Sequence, residues 1–316
     1  MTDLSILQQV RKLQIRTNRQ VANVLAGAYL SVFKGSGIEF DEVRPYVPGD
    51  DIRAIDWNVT ARTGEPYVKR FVEERELTIM IMVDISGSQD FGVARSKREL
   101  ASELAALLAF SAASNKDKVG LMLFHRDSEL FIPPRKGQKH AMRVVREILS
   151  RQASAPKSTD LPWRKRWLRF WKKRGHSPGK GTDIGGSLEF CRRVLKKRAV
   201  LFVISDFHDI GYLPTLQRVN KRHDVVAALI RDPGESQLPT RGLVALRDAE
   251  TGRERLIDAS DRHFREALMA MSNARTESLK SSLQSSGIDL MILDNDKPAI
   301  TPLLSFLRMR EKRGRR

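Results

Sequence analysis

Short, unbroken apolar runs recur along this chain between longer segments with helical periodicity, and this alternation constrains the fold more than any other feature. The clearest runs are Val119 to Phe124 and Val200 to Ile204. Apolar runs without polar alternation are typical of strands that helices cover on both faces. The sequence therefore predicts the α/β class, with a doubly wound, mostly parallel sheet.

Strands are predicted near residues 77–84, 118–124, 199–205, 224–230 and 288–293, with a short antiparallel edge strand near 128–132. Helices are predicted from about Ala94 to Ser114 and over 184–197. The second helix carries the single cysteine, Cys191, which is expected to be buried. Residues 243–258 have the pattern of a hairpin, with Thr251 and Gly252 near its turn.

The region before the first of these strands differs from the rest of the chain in its amino-acid composition. Residues 1–33 have a helical pattern, and residues 34–76 are rich in Gly, Pro, Asp and aromatic residues, which predicts turns and short strands. The expected organisation is a lead-in region over 1–76, an α/β domain over 77–307 with an insert at about 153–180, and a disordered basic tail over 308–316.

The net charge of +18 is concentrated in two short segments. Residues 151–180 contain ten Lys or Arg against Asp160 alone, and residues 308–316 contain six against Glu311 alone. Because the rest of the chain is nearly neutral, the charge is weak support for nucleic-acid binding.

The cellular compartment is predicted from the cysteine content and from the apolar stretches of the chain. One cysteine excludes an intrachain disulfide and fits a reducing compartment. The first twenty residues have no apolar core of a signal peptide. The longest uncharged stretch, from Val21 to Phe33, is shorter than the roughly 20 residues that span a bilayer. The expectation is a cytoplasmic protein, with a peripheral position at the inner membrane as the alternative.

Oxygen-bearing side chains cluster where three predicted segments end or begin. Asp84, Ser86 and Ser88 follow an apolar strand, and Asp206 follows another. Thr182 lies in a glycine-rich loop just before a helix. Because ligands bind at the carboxyl ends of strands in open α/β sheets, these side chains are expected to converge on one edge.

The chemistry of this set favours a hard divalent cation, since it contains hydroxyls and carboxylates without Cys or an ordered His pair. Mg²⁺ is the expected ion, with Mn²⁺ or Ca²⁺ as alternatives. Neutral hydroxyls leave such an ion under-neutralised, so that a carboxylate from a partner protein could complete its shell. No small-molecule substrate is predicted.

These residues resemble a known motif. The combination DISGS (84–88), GTD (181–183) and ISD (204–206) is similar to the metal-ion-dependent adhesion site of von Willebrand factor A-like domains. The resemblance implies that Ser86 and Ser88 bind the metal through their hydroxyls. It also implies that Thr182 binds directly or through water, and that Asp84 and Asp206 bind through water.

The upstream stretch resembles the signature of the bacterial DUF58 family. It runs from Arg44 to Trp57 as RPYVPGDDIRAIDW and continues with Ala61-Arg62 and Phe71-Val-Glu-Glu74. Together the two resemblances cover most of residues 34–210. They imply a non-enzymatic adaptor whose partner is a MoxR-type AAA+ ATPase or a client of that ATPase. Many members of the family also carry membrane-spanning helices.

The basic insert supports several interpretations. One helical face would carry aromatic residues and the other would carry cations, namely Trp163, Trp167, Phe170 and Trp171 against Lys165, Arg166 and Arg169. Such a helix is typical of membrane-surface binding or of docking to an acidic partner. The aromatic face could equally cover the protein's own core, and stacking on single-stranded nucleic acid is a third possibility.

An enzymatic function is the competing interpretation of the strand-end residues. A phosphoaspartyl transferase could use Asp84 as its nucleophile, and a serine hydrolase could use Ser86 or Ser88 with His208 and an Asp. However, the chain lacks a second carboxylate two residues after Asp84 and has no G-x-S-x-G elbow. No catalytic residue is therefore predicted.

The lead-in region also contains a set of residues with two interpretations. These polar and aromatic side chains could form an interaction surface, or they could act as turn and capping residues. The set is Asp50, Asp51, Asp56 and Trp57. Turn and capping roles are favoured, because Gly49-Asp50 is ordinary turn chemistry.

Overall fold

The computed structural model describes residues 38–73, 77–90, 92, 95–125, 130–152, 182–235, 242–247 and 254–314. These residues divide into two compact units, one within Phe33–Leu77 and the other from Thr78 onward. The expected helix over 1–33 and the insert at about 153–180 lie outside the described residues.

The first unit is a small antiparallel pair with helical turns between its strands. Strand β1 (Ile38–Pro45) pairs with β2 (Tyr67–Glu73), and a short 3₁₀ helix (Ile52–Ala54) and α1 (Trp57–Thr63) lie between them in the chain. Gly64 ends α1 in the left-handed conformation, at φ 78°. The expectation of turns and short strands is confirmed.

The second unit contains the remaining elements. Its strands are β3 (Thr78–Asp84), β4 (Lys118–Phe124), β5 (Leu130–Arg135), β6 (Val200–Ser205), β7 (Asp224–Arg231), β8 (Leu243–Arg247), β9 (Glu254–Asp258) and β10 (Asp289–Asp294). Its helices are α2 (Lys97–Ser114), α3 (Gln138–Gln152), α4 (Ile184–Val194), α5 (Leu213–Asn220), α6 (Arg262–Ser285) and α7 (Ile300–Gly314), with short 3₁₀ helices at Gly87–Asp90 and Pro233–Glu235.

The central sheet has the strand order β10-β7-β6-β3-β4-β5. All neighbouring pairs are parallel except β4 with β5. Strand β5 lies at one edge, where Pro133 and Pro134 can be accommodated because an edge strand lacks a partner on one side. The predicted doubly wound sheet and its antiparallel edge strand are confirmed.

Helices cover both faces of this sheet. On one face, Met80 and Met82 of β3 belong to a buried cluster with Leu188 and Cys191 of α4 and Leu216 of α5. Cys191 is therefore a core residue, as expected. Helix α2 contacts β3, β4 and β7 and packs against α3, which explains why this helix is buried along most of its length.

The predicted hairpin is present as the antiparallel pair of β8 and β9, in which Leu243 pairs with Asp258. Its expected turn residues, Thr251 and Gly252, lie outside the described residues. Across the part of the chain that the structure describes, no helix is both long enough and apolar enough to cross a membrane.

The prediction of a disordered tail from residue 308 is wrong, because α7 continues to Gly314. The guanidinium of Arg310 donates to both oxygens of Asp224, at 2.7 Å each, and to Asp289 at 2.7 Å. Arg313 also contacts Asp289, at 2.5 Å. Basic residues in this segment are thus ion-paired to the amino ends of β7 and β10, and these pairs hold the helix on the sheet.

We expect Arg310→Ala to lower the free energy of unfolding by on the order of 2 kcal/mol, because Asp224 loses two hydrogen bonds and Asp289 loses one of its two guanidinium partners. The matched control is Arg308→Ala, since Arg308 lies two residues earlier on the same helix and is exposed. Urea unfolding should show a change below about 0.5 kcal/mol for this control. Equal losses in the two variants would contradict the proposed anchoring of α7.

Candidate metal centre

The candidate site lies where the strand order reverses. The chain passes from β3 to β4 on one side of β3, whereas β6 lies on the other side and leads to β7. The crevice between the carboxyl ends of β3 and β6 is therefore the topological switch point at which open α/β sheets bind ligands.

The first three predicted residues lie on the turn that leaves β3. Asp84 is the last residue of this strand, and the 3₁₀ helix Gly87–Asp90 begins three residues later. The backbone N–H of Ser86 donates to Asp84 Oδ1 at 2.9 Å, which tightens the turn. The hydroxyls of Ser86 and Ser88 are 3.0 Å apart and hydrogen-bonded, so both face the same side of the turn.

The other two predicted residues join this turn from separate segments. Thr182 precedes α4, and its hydroxyl is 3.5 Å from Asp84 Oδ1. Asp206 directly follows β6, and the nearby Ser88 side chain is one of the groups that lower its pKa. The structure thus brings together all five residues predicted to surround a metal, namely Asp84, Ser86, Ser88, Thr182 and Asp206.

Ser205 connects the two strands at this edge. Its hydroxyl donates to Asp84 Oδ2 at 2.7 Å and accepts from the backbone N–H of Phe207 at 3.0 Å. Phe207 has a positive φ of 53°, an uncommon conformation for a residue with a side chain. This sharp turn after β6 directs Asp206 toward the residues that follow β3.

The two carboxylates differ in their electrostatic surroundings. Burial raises the pKa of Asp84 to about 6, and the negative charge of Asp206 adds to this effect. Hydrogen bonds from Ser205 and Ser86 oppose the shift. For Asp206, burial also acts to raise the pKa, but Lys97 and His208 outweigh it and the net pKa is lowered.

Lys97 is a member of this site that was not predicted from the sequence. It is the first residue of α2, its side chain is 0% exposed, and its Nζ lies 2.8 Å from Asp206 Oδ2 and 2.5 Å from Glu235 Oε1. Burial acts to lower its pKa, but the two carboxylates outweigh this effect and the pKa is raised, so the ammonium form is retained. A sequence signal existed, because a lysine at the start of a buried apolar helix is unfavourable unless an acidic group compensates it.

A polar cavity of about 330 Å³ lies beside the strand-end residues and shares Asp206 with them. His208, Glu235 and residues of α6, including Arg275, also line it. Ligand atoms of Asp206, His208 and Glu235 lie within 4.8 Å of one another, but Lys97 already bridges two of the three. Arg275 donates to the carbonyl of Phe207 at 2.9 Å and contacts the ring of His208.

The remaining sequence predictions have different outcomes. The predicted surface formed by Trp163, Lys165, Arg166, Trp167, Arg169, Phe170 and Trp171 lies outside the described residues. Among the described residues, no hydrogen bond joins His208 to Ser86 or Ser88. The pairing that a serine hydrolase would need is therefore not formed in this structure.

In the first unit, the three aspartates that were singled out from the sequence have structural roles. Asp50 accepts two hydrogen bonds from Arg44, at 2.7 and 2.8 Å, while Asp51 and Asp56 cap the 3₁₀ helix and α1. This supports the interpretation of these carboxylates as turn and capping residues. Trp57 differs from them, because it remains 67% exposed.

The residues at the strand ends fit a hard divalent cation. They offer hydroxyl and carboxylate oxygens from three segments. Burial, and after it the charge of Asp206, raises the pKa of Asp84, so two negative charges are unfavourable there without a cation. A positive charge between these carboxylates would relieve their repulsion. On the far side of Asp206, that positive charge is already supplied by Lys97.

Fold and site together define an α/β protein with an oxygen-rich cluster at the switch point of a mostly parallel sheet. The chain belongs to the family described as protein of unknown function DUF58, whose model matches residues 42–278. The resemblance of the upstream stretch to this family is thus confirmed.

Individual relatives show how far the similarity extends. Rv1480 of Mycobacterium tuberculosis is 29% identical over 314 residues, which cover 98% of this chain and 91% of that protein. YeaD of Bacillus subtilis is 28% identical over 106 residues, which cover 34% of this chain and 25% of that protein.

Solved structures with similarity to this chain include BatB from Bacteroides thetaiotaomicron, with a TM-score of 0.43, 15% identity and coverage of 75% of this chain and 99% of that chain. The VWA domain of SpRpn10 has a TM-score of 0.34 and 12% identity, and the match covers 72% of this chain and 94% of that chain. The fold assignment therefore rests on the strand order and the helices of the chain itself.

The raised pKa of Asp84 predicts how the metal-free protein responds to pH. The pKa of this carboxyl group is 3.8 for an ordinary aspartate, which represents the unfolded chain, and about 6 in the folded protein. Between these two pH values the folded protein therefore binds the proton more tightly than the unfolded chain does. Stability should therefore fall as pH rises through this window, by on the order of 3 kcal/mol, and the loss is complete above pH 6.

The measurement is urea unfolding from pH 3.5 to 7.5 in the presence of a chelator, for the wild type and for Asp84→Asn. The difference between the two curves reports the titration of Asp84 together with its electrostatic effect on Asp206, because the remaining titrating groups are common to both proteins. Parallel curves would show that Asp84 does not titrate in this window.

Proposed function

We propose that this protein is a non-enzymatic interaction module that holds a divalent cation, Mg²⁺ in the first instance, at the carboxyl ends of β3 and β6. The convergence of Asp84, Ser86, Ser88, Thr182 and Asp206 at one edge is the observation that carries the proposal. When bound, the cation would offer a coordination position to an acidic side chain of a partner protein.

The residues at this site would have different roles in holding the ion. The hydroxyls of Ser86 and Ser88 lie side by side on one turn and would bind the ion directly. Asp84 is held by Ser86, Thr182 and Ser205, which fixes its orientation at the base of the site. Neutral ligands leave positive charge on the ion, so a partner's carboxylate is the complementary group.

The partner that this proposal names is a MoxR-type AAA+ ATPase or a client that the ATPase presents. The support is the membership in the DUF58 family together with the resemblance of the strand-end motif to adhesion-type metal sites. A cytoplasmic location is part of the proposal, because an AAA+ ATPase draws on the ATP of that compartment.

Ser86→Ala should lower Mg²⁺ affinity by more than about tenfold, because it removes one hydroxyl from the proposed shell while leaving the turn backbone intact. Calorimetric titration of Mg²⁺ into the purified protein measures this effect. The matched control is Ser102→Ala, which removes a buried hydroxyl on α2 that donates to the carbonyl of Arg98. Retention of wild-type affinity in Ser86→Ala would overturn the metal assignment.

Partner binding is measured with the same two variants and a purified MoxR-type ATPase at one fixed Mg²⁺ concentration. A fixed concentration is needed because the ATPase requires Mg²⁺ for its own nucleotide, so that a chelator would affect both proteins. We expect binding to be lost in Ser86→Ala and retained in Ser102→Ala. Undiminished binding in Ser86→Ala would overturn the proposed mode of contact.

The non-enzymatic assignment has its own test, in which purified protein is assayed against phosphatase and esterase substrates with Mg²⁺ present. We expect no turnover above buffer. Turnover that disappears in Asp84→Asn or Ser86→Ala would overturn the assignment and favour a hydrolase.

A further inference from the structure

Lys97 is the feature of this edge that neither the motif nor the proposed function explains. Its ammonium group has no exposed surface and lies between Asp206 and Glu235. A buried ammonium is costly to desolvate and is retained only when carboxylates compensate it. The chain thus places a fixed positive charge directly against one of the residues that are proposed to hold a divalent cation.

Asp206 is the residue that both cations would share. On one side lies Ser88, whose side chain helps to lower the pKa of Asp206 and whose hydroxyl contacts that of Ser86. On the other side its Oδ2 is engaged by Lys97 at 2.8 Å. Charge on Asp206 that is neutralised by Lys97 is less available to an ion bound beside Ser86 and Ser88, and the ammonium also repels that ion directly.

We propose that Lys97 is a resident cation that competes with the divalent ion for Asp206 and thereby keeps the metal affinity of the isolated protein low. This inference rests on the proposed function and adds a positioning residue to it. Its consequence is that the ion is held firmly only when an acidic partner supplies further negative charge. Metal binding and partner binding would then strengthen each other by the same factor.

An ion pair that serves only stability makes a different prediction. In that case, loss of Lys97 would loosen the edge and would leave Mg²⁺ affinity unchanged or reduced. Competition predicts the opposite sign, because Asp206 is released toward the ion. The direction of the change in affinity therefore separates the two roles.

The experiment is calorimetric titration of Mg²⁺ into the full chain, comparing the wild type with Lys97→Met. We expect Mg²⁺ to bind the variant at least about tenfold more tightly, and the Mg²⁺-induced rise in Tm to be larger than in the wild type. Lys196→Met is the control for loss of one positive charge. Lys196 is exposed and precedes β6, so it lies near the amino ends of the strands, at the end of the sheet opposite the candidate site. This control should leave the affinity unchanged.

A second variant, Lys97→Met/Glu235→Gln, removes one positive and one negative charge and so conserves the net charge of the site. It also avoids leaving two unpaired carboxylates, so it is the variant to use if Lys97→Met alone does not fold. Competition for Asp206 predicts that this protein still binds Mg²⁺ more tightly than the wild type does. A general electrostatic effect predicts unchanged affinity, and that result would overturn the inference.

The outcomes also separate this inference from the proposed function. If the wild type binds Mg²⁺ and the Lys97 variants bind no more tightly, the inference is overturned and the metal site stands. If only the Lys97 variants bind, the inference is supported, and the wild type is then expected to bind Mg²⁺ only together with its acidic partner. If none of the proteins binds Mg²⁺, both are overturned.

Discussion

The buried carboxylate of Asp84 is the constraint on which the organisation of this edge depends. It ends the central strand β3, and its two oxygens accept hydrogen bonds from the turn that follows, from Thr182 in the segment leading into α4 and from the last residue of β6. A buried carboxylate needs such donors, and here they come from three separate segments. The requirement to satisfy one group therefore determines how β3, β6 and α4 meet at the switch point.

The charges around this group form one connected series, in which two carboxylates are followed by an ammonium group and a third carboxylate. Asp84 and Asp206 repel each other, Lys97 compensates Asp206, and Glu235 compensates Lys97 from the wall of the neighbouring cavity. Because each member is buried or partly buried, a change in one charge is felt by the next with little screening. The strand-end residues and the polar cavity thus share one electrostatic system, and Asp206 is their common member.

Much of the fold could be predicted because it depends on local patterns. Continuous apolar runs predicted the strands of the central sheet within a few residues, and the short run near 128–132 was predicted to be the edge strand that became β5. The prediction of a disordered tail was wrong for a specific reason. A cluster of basic residues at a terminus is locally indistinguishable from a solvated tail, and only the folded chain brings Asp224 and Asp289 within reach of Arg310.

The sequence by itself determined the class of fold and the five oxygen-bearing residues of the candidate site, since strand ends and their polar residues can be recognised from neighbours in the chain. Only the tertiary structure showed that Lys97 joins these residues, because its contacts with Asp206 and Glu235 span more than a hundred positions. It also decided the charge states, since the pKa of Asp84 depends on burial and on a second carboxylate, Asp206, that follows another strand. Long-range contacts and desolvation have no counterpart in a local sequence pattern, and they set the electrostatics of this site.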